Sequence, residues 1–93
     1  MKIINAQEFK SVINEDCIIA FKTNWCGPCK MLAPILETIT EFPVYKVDAD
    51  TEPELCLEYQ IRTVPTIISF KDGKEYKRTA GNQPKNKILE LLD

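Results

Sequence analysis

Two cysteines separated by two residues are the groups in this sequence best suited to chemistry. Cys26 and Cys29 lie in the stretch NWCGPCK, residues 24–30, with a tryptophan before the first cysteine and a lysine after the second. Thiols at this spacing can form a structural disulfide, bind a metal ion, or exchange electrons with another molecule through a reversible disulfide. The rest of the chain has to distinguish these three roles.

The other cysteines and the absence of histidine argue against the first two roles. Cys17 and Cys56 each stand alone, and the sequence contains no histidine. A zinc site normally needs a second pair of cysteines or closely spaced histidines, and a framework of structural disulfides is typical of secreted chains. A cysteine hydrolase would lack its usual histidine base. Redox exchange is therefore the leading hypothesis, and no metal or other cofactor is expected.

The composition is that of one small, slightly acidic domain. The chain has 93 residues and a formal net charge of −2, from 12 basic and 14 acidic side chains, which predicts a single domain over residues 1–93. No basic run suggests binding to nucleic acid. The start, MKIINAQEFK, does not resemble a secretory signal, and no apolar stretch approaches the ~20 residues of a membrane span. We expect a soluble cytoplasmic protein with reduced thiols, and no contact with membranes.

Alternating strand and helix patterns surround the motif. Short apolar or β-branched runs predict five strands, and apolar residues at helical spacing predict four helices. The order β-α-β-α-β-α-β-β-α predicts an α/β fold, with a central mixed sheet flanked by helices on both faces. The predicted strands are residues 2–5, 17–22, 44–48, 66–71 and 74–80; the predicted helices follow a cap at Asn5, run from Cys29 to Phe42, and cover 48–59 and 86–93.

This order places the motif where a buried strand ends and a helix begins. Cys26 is predicted to lie at the helix N-terminus, where unpaired N–H groups and the helix dipole favour negative charge and keep the pKa of a thiol below its ordinary value. Only the thiolate attacks a disulfide. Cys29 lies one helical turn further on and is expected to be less exposed. Cys26 is therefore predicted to attack a substrate disulfide, and Cys29 to resolve the mixed disulfide.

The sequence resembles the thioredoxin family over nearly its whole length. The family's elements arrive in order and at close to the family's spacing, which makes the resemblance far more specific than a bare pair of cysteines. The matching positions are WCGPCK at residues 25–30, with Gly27 and Pro28 between the cysteines; the helix-kinking Pro34; YQIRTVPT at 59–66, in which Pro65 takes the place of a cis-proline; the hairpin KDGK at 71–74; and Gly81, beside the active-site surface.

The resemblance implies a monomeric enzyme, a protein dithiol–disulfide oxidoreductase. Its substrates would be protein disulfides, and its electrons would come from a flavoprotein thioredoxin reductase. Trp25, Val64 and Pro65 would border the groove in which an extended substrate segment lies. The alternative is a binding module that grips one partner by this surface without turnover, because a fold alone does not fix function. The intact cysteine pair favours the electron carrier, and the Gly27-Pro28 dipeptide resembles family members that reduce disulfides more than members that form them.

One departure from the family lies directly behind the cysteines. Most thioredoxins carry a buried aspartate six residues before the first cysteine, where this chain has Ala20, while the aspartate's usual lysine partner is present as Lys46. Without a carboxylate beside it, a buried ammonium is expected to reach water or lose its proton. Either Ala20 is only a small core residue and water moves the proton, or the resolving step is slowed near neutral pH.

Other positions also leave two interpretations open. Either the charge of Lys22 lowers the pKa of Cys26, or its side chain extends into solvent or pairs with an acid such as Asp48. Asp50 is expected to bond the Trp25 indole, to cap the following helix, or both. Cys17 is expected to be a small buried hydrophobic residue, as is Cys56, for which a regulatory thiol is the alternative. The stretch at residues 40–46 is a few residues shorter than in most of the family, which shortens a loop.

Overall fold

A five-stranded mixed sheet forms the centre of the molecule. The computed structural model describes residues 1–93. The strand order across the sheet is β1-β3-β2-β4-β5. Strand β3 is parallel to β1 and to β2, while β4 is antiparallel to β2 and β5 is antiparallel to β4. This confirms the predicted α/β architecture. The strands are β1 (Lys2–Ile3), β2 (Cys17–Lys22), β3 (Val44–Asp48), β4 (Thr66–Lys71) and β5 (Lys74–Ala80), and the helices are α1 (Ala6–Val12), α2 (Gly27–Glu37), α3 (Pro53–Glu58) and α4 (Lys85–Leu89).

Strand β2 is central and buried on both faces, as its continuous apolar run predicts. Alternate residues of β2 point to opposite faces and join two separate apolar clusters. Ile19 and Phe21 pack with Phe9 of α1 and with α3 on one face, while Ile18 and Ala20 pack with α2 and α4 on the other. The strand that leads into the cysteine motif is therefore held rigidly from both sides.

Two local sequence signals are confirmed. The side chain of Asn5 accepts from the backbone N–H of Glu8 at 2.8 Å, and the Glu8 carboxylate accepts from the N–H of Asn5 at 3.1 Å, which forms a capping box. In the hairpin, Asp72 has a φ of 55° and Gly73 a φ of 80°. Asp and Gly tolerate this left-handed region better than other residues, which is why the pair turns the chain.

The second helix is shorter than its apolar spacing predicts. It ends at Glu37 rather than at Phe42, because Thr38 forms the C-cap and its hydroxyl donates to the carbonyl of Ile35 at 2.7 Å. Ile39 and Phe42 nevertheless pack against the same apolar cluster as the helix. The apolar spacing up to Phe42 therefore reflects packing on one apolar cluster and not a continuous helix.

Three other predicted elements are also shorter in the structure. The first strand ends at Ile3, since Asn5 caps α1. Helix α3 starts at Pro53 without a side-chain cap, since the Glu52 carboxylate accepts from the backbone N–H of Ala6 instead. The last helix, α4, ends at Leu89 and continues as a single 3₁₀ turn. No helix in the structure has the length and apolarity needed to cross a membrane.

Candidate redox site

Cys26 and Cys29 lie at the start of α2, directly after the loop that leaves β2. Cys26 is the N-cap residue, with extended backbone angles, and its sulfur accepts from the backbone N–H of Cys29 at 3.1 Å. The two sulfurs are joined in a disulfide, with the Cα atoms 5.2 Å apart. Gly27 and Pro28 occupy the first two positions of the helix. Backbone N–H groups there have no acceptor within the helix, so the missing N–H of proline costs no helical hydrogen bond. The N-cap position gives the Cys26 sulfur a backbone donor that also stabilises it as a thiolate.

The loop before β4 closes the site on the other side. The carbonyl oxygen of Val64 lies 3.5 Å from the Cys26 sulfur, and the Val64–Pro65 peptide bond is cis. Gly81 follows β5 and donates its N–H to the carbonyl of Pro65 at 2.9 Å. Its φ of 80° lies in the left-handed region that favours glycine. The structure thus brings residues far apart in the chain to one edge of the disulfide.

Trp25 stands out from the surface beside the cysteines. It is 71% exposed, and its indole Nε1–H donates to the carboxylate of Asp50 at 2.9 Å. Asp50 does not cap α3, whose N-cap is Glu52, so of its two expected roles it has only the bond to the indole. Together with Val64, Trp25 and Asp50 line a pocket of about 420 Å³ on the surface. An exposed, oriented aromatic ring beside a reactive sulfur is suited to contact with another molecule.

The expectation that Cys29 is less exposed than Cys26 is wrong for the disulfide form. Cys26 is 4% exposed and Cys29 is 7% exposed. The two sulfurs cover each other, and the loop at Val64 covers Cys26 as well. Exposure therefore does not distinguish the two cysteines, and their difference lies in the N-cap position of Cys26.

Behind the disulfide, Ala20 and Lys46 are register partners on neighbouring parallel strands. Ala20 is 1% exposed, whereas Lys46 is half-buried and its ammonium makes no hydrogen bond or ion pair. Both line a cleft of about 170 Å³ that Cys29 also lines. Ala20 is thus a small core residue whose size leaves room behind Cys29.

Two other residues that line this cleft are polar. Lys22 pairs with the side-chain oxygen of Asn24 at 2.7 Å, and not with Asp48. Thr23 is 4% exposed, and its hydroxyl is buried without a hydrogen-bond partner. No sequence signal identifies this hydroxyl, because its isolation depends on the folding of the loop around it.

The two remaining cysteines are free thiols with raised pKa values. Burial, with help from nearby acids, raises the pKa of Cys17 to about 12. Cys56 is half-buried, whereas full burial was expected. Burial raises the pKa of its thiol, and the negative charges of Asp48 and Asp50 raise this pKa further. Because only a thiolate is an effective nucleophile, both thiols are unreactive near neutral pH compared with an ordinary cysteine. Of the four cysteines, only Cys26 and Cys29 lie close enough together to form a disulfide within the chain.

Comparisons with known proteins agree with this geometry. A family model described as Thioredoxin matches residues 1–93. A thioredoxin of Mycoplasmoides gallisepticum is 41% identical over 96 residues, covering 97% of this chain and 96% of that protein. A thioredoxin of Mycobacterium tuberculosis is 43% identical over 84 residues, covering 85% and 72%. A solved mutant thioredoxin from Halobacterium salinarum superposes with a TM-score of 0.89 at 32% identity, covering 99% of this chain and 86% of that chain.

Proposed function

The chain belongs to the thioredoxin family and is a protein dithiol–disulfide oxidoreductase, and we propose that Cys26 is its nucleophile and Cys29 its resolving thiol. One observation carries this assignment: the Cys26 sulfur, at the N-cap of α2, accepts the backbone N–H of Cys29 at 3.1 Å. Cys29 lies inside the helix, and no backbone donor to its sulfur is present. The thiolate is therefore better stabilised on Cys26, which makes Cys26 the attacking group.

The reaction transfers two electrons in two exchange steps. The Cys26 thiolate attacks one sulfur of the substrate disulfide, which breaks the substrate's S–S bond and releases its other sulfur as a thiolate. The Cys29 thiolate then attacks the Cys26 sulfur and breaks the bond to the substrate. The substrate leaves with two thiols, and the chain is left with the Cys26–Cys29 disulfide that the structure contains.

The surface around Cys26 is the proposed substrate groove. Trp25 supplies an exposed ring held by Asp50, and the loop of Val64 and Pro65 stands opposite with its carbonyl near the reacting sulfur. Gly81 anchors that loop from the end of β5. An extended segment of a protein substrate, lying between the ring and the loop, would present its disulfide to Cys26.

The finer features of this function rest on the family rather than on the geometry. We propose that residues 1–93 act as one thioredoxin domain, that the chain works as a monomer in the cytoplasm, and that a flavoprotein thioredoxin reductase supplies its electrons. The two free thiols, Cys17 and Cys56, are compatible with a reducing compartment.

The test is reduction of a protein disulfide with dithiothreitol as electron source, from about pH 5 to about pH 9. Wild type should accelerate the reaction, and Cys26→Ser should fall to the rate of dithiothreitol alone. Cys56→Ser is the matched control and should retain catalysis, since its thiol is half-buried with a raised pKa. If wild type failed at every pH, general disulfide reduction would be contradicted. The chain would then be a binding module, whose Cys26→Ser variant would still bind the partner, or a reductant for one dedicated partner.

A further inference from the structure

Met31 is the most exposed sulfur-containing residue of the protein. It lies on α2, two residues after Cys29, and is 69% exposed. The side chain of Met1, the one other methionine, is 2% exposed. The two free thiols are also shielded, since Cys17 is buried and Cys56 is half-buried. Because oxidation of sulfur follows exposure, a dissolved oxidant that meets the disulfide form should react first at Met31.

Met31 lies on the same helix face as the two residues between the cysteines. Gly27 and Pro28 precede it by four and three positions, and residues at these spacings are neighbours on a helix surface. All three are exposed. The exposed surface of the cysteine motif therefore continues by one helical turn and ends on the thioether of Met31.

A polar donor lies against the Met31 sulfur. The side-chain amide of Asn82 points its nitrogen at the sulfur across 3.8 Å. Asn82 directly follows Gly81, whose N–H donates to the carbonyl of Pro65 at 2.9 Å. The contact thus joins α2 to the segment that anchors the loop of Val64 and Pro65. This places the thioether at the rim of the proposed substrate groove.

We propose that Met31 is an oxidation site, at which a hydroperoxide converts the thioether to a sulfoxide and thereby weakens the binding of protein substrates. The sulfur lone pair attacks one oxygen of the peroxide, so that an S–O bond forms and the O–O bond breaks. The second oxygen leaves as hydroxide or alkoxide and takes up the proton of the first. Sulfur is oxidised by two electrons, and the peroxide is reduced to water or an alcohol.

The new oxygen makes the rim of the groove polar. A thioether is a weak hydrogen-bond acceptor, whereas a sulfoxide is polar. The Asn82 amide already faces the sulfur and can donate to the sulfoxide oxygen. An apolar substrate group that packs on the thioether would then have to strip water from a polar one. Since Met31 takes no part in the exchange steps, the loss should fall on protein substrates and not on small disulfides, a consequence that rests on the proposed function.

The oxidation site is tested on the disulfide form without turnover. The folded protein is treated with hydrogen peroxide, and the sulfoxide at each methionine is quantified by peptide mass spectrometry. Met31 should be oxidised about tenfold faster than Met1, or more, and the two should react at similar rates in concentrated urea. Equal rates in the folded protein, or oxidation of Cys56 ahead of Met31, would overturn the site.

The bond to the sulfoxide has a spectroscopic signature. In ¹⁵N NMR spectra, the side-chain amide signals of Asn82 should move when Met31 is oxidised. The side-chain amide of Gln83, which donates to the carbonyl of Ala80 at 3.0 Å, is the matched control and should stay in place. Asn82 signals that did not move would overturn the hydrogen bond.

The effect on substrates is measured after excess peroxide has been removed. For oxidised Met31 the KM for a protein disulfide should rise about fourfold, the effect of losing the burial of one methylene group, while the rate with a small-molecule disulfide should stay the same. Met31→Leu has no thioether at this position, so its KM should be equal before and after peroxide. Met31→Gln, a polar side chain of similar length, should resemble oxidised wild type without treatment.

Two results would overturn this effect on substrates. One is an equal loss in peroxide-treated wild type and Met31→Leu, and the other is an unchanged KM at complete oxidation of Met31. Catalysis that is absent in the untreated protein would contradict the proposed function instead, while mass spectrometry would still decide whether Met31 is an oxidation site.

Discussion

The backbone N–H of Cys29 donates to the Cys26 sulfur across 3.1 Å, so one cysteine stabilises charge on the other through the main chain. The donor is a peptide group in the first turn of α2, and its position is set by the helix and not by the Cys29 side chain. Replacing the second thiol therefore leaves the first one activated. This separates the two chemical steps by mutation.

Cys29→Ser should trap the reaction halfway. The variant retains the N–H that bonds Cys26, so Cys26 should attack a substrate disulfide as in wild type, but no second thiol is present to release the product. One equivalent of mixed disulfide should accumulate, with turnover lost, as measured by intact-protein mass spectrometry. Cys26→Ser should form no adduct. An adduct of Cys26→Ser, or sustained turnover by Cys29→Ser, would reverse the proposed roles.

Removal of the Asp50 carboxylate should weaken recognition of protein substrates more than chemistry. The Asp50 side chain holds the exposed Trp25 ring through the 2.9 Å bond to the indole. In Asp50→Ala the ring gains freedom, and the KM for a protein disulfide should rise severalfold, while the rate with a small-molecule disulfide should change little. Steady-state kinetics with both substrates measures this. Because the pair is exposed, the free energy of unfolding should fall by no more than about 1.5 kcal/mol.

Asp50→Asn is the matched variant, since its amide oxygen can still accept from the indole. It should lie close to wild type with both substrates. If Asp50→Ala and Asp50→Asn lost activity equally, and with both substrates, the charge of Asp50 would act on the cysteines and not on the ring.

The ion pair of Glu75 and Arg78 should contribute stability only above acidic pH. The hydrogen bond from Arg78 is the main cause that holds the pKa of Glu75 below its ordinary value of 4.5. A lowered folded-state pKa means that the stabilisation is present above about pH 4.5 and is lost as the pH falls through the folded value. Both side chains are about one-third exposed, so the pair is worth at most about 1 kcal/mol.

Urea unfolding of Glu75→Gln at neutral pH and near pH 3 checks this. The variant should be less stable than wild type at neutral pH, and the difference in the free energy of unfolding should be smaller near pH 3. Glu15→Gln, an exposed acid outside the helices and without a side-chain partner, should show no such difference. An equal loss at both pH values would mean that Glu75 stabilises the fold by packing alone.

Cys17 should resist alkylation in the native state and make the fold sensitive to alkali. Burial raises its pKa from 9.0 to about 12, so its thiolate forms in the unfolded chain at lower pH than in the folded one. A raised folded-state pKa gives stability that is complete below pH 9 and lost as the pH rises toward about 12. With iodoacetamide near pH 8, reduced protein should be labelled first at Cys26, slowly at Cys56, and at Cys17 only after unfolding.

The alkaline part of this prediction needs a variant that lacks the titrating group. Cys17→Ala removes a buried sulfur and should be less stable than wild type at neutral pH. The difference in the free energy of unfolding should narrow above pH 9, because only wild type loses the buried neutral thiol there. A constant difference up to about pH 11 would show that Cys17 ionises equally in both states.

Several features of the site follow from short-range sequence signals, while others depend on tertiary packing. The buried run of β2 followed by Gly27 and Pro28 predicts a cysteine at a helix start, because strand burial and helix entry are local properties. The end of α2 at Glu37 is not predictable from apolar spacing, since Ile39 still packs on the same core after the helix has stopped. The unpaired hydroxyl of Thr23 is also not predictable from the sequence, because its lack of a hydrogen-bond partner depends on how the surrounding chain folds.

Ala20→Asp places a carboxylate in the cleft that Cys29 and Lys46 line. The new side chain would replace a residue that is 1% exposed, so burying its polar group should lower the free energy of unfolding by about 1–3 kcal/mol. An ion pair with the unpartnered Lys46 would offset part of this loss. A carboxylate of the chain's own beside the Cys29 thiol can take its proton, so the resolving step should be faster once that carboxylate is ionised. The rate–pH curve between about pH 5 and pH 9 should therefore gain an additional ionisation relative to wild type.

Ala20→Asn has nearly the same shape without the titrating group, and it separates the chemistry from the filling of the cleft. It should reproduce the loss of stability but show no added ionisation. If the rate–pH curve of Ala20→Asp coincided with that of wild type, water alone would move the Cys29 proton, and Ala20 would be no more than a small residue of the core.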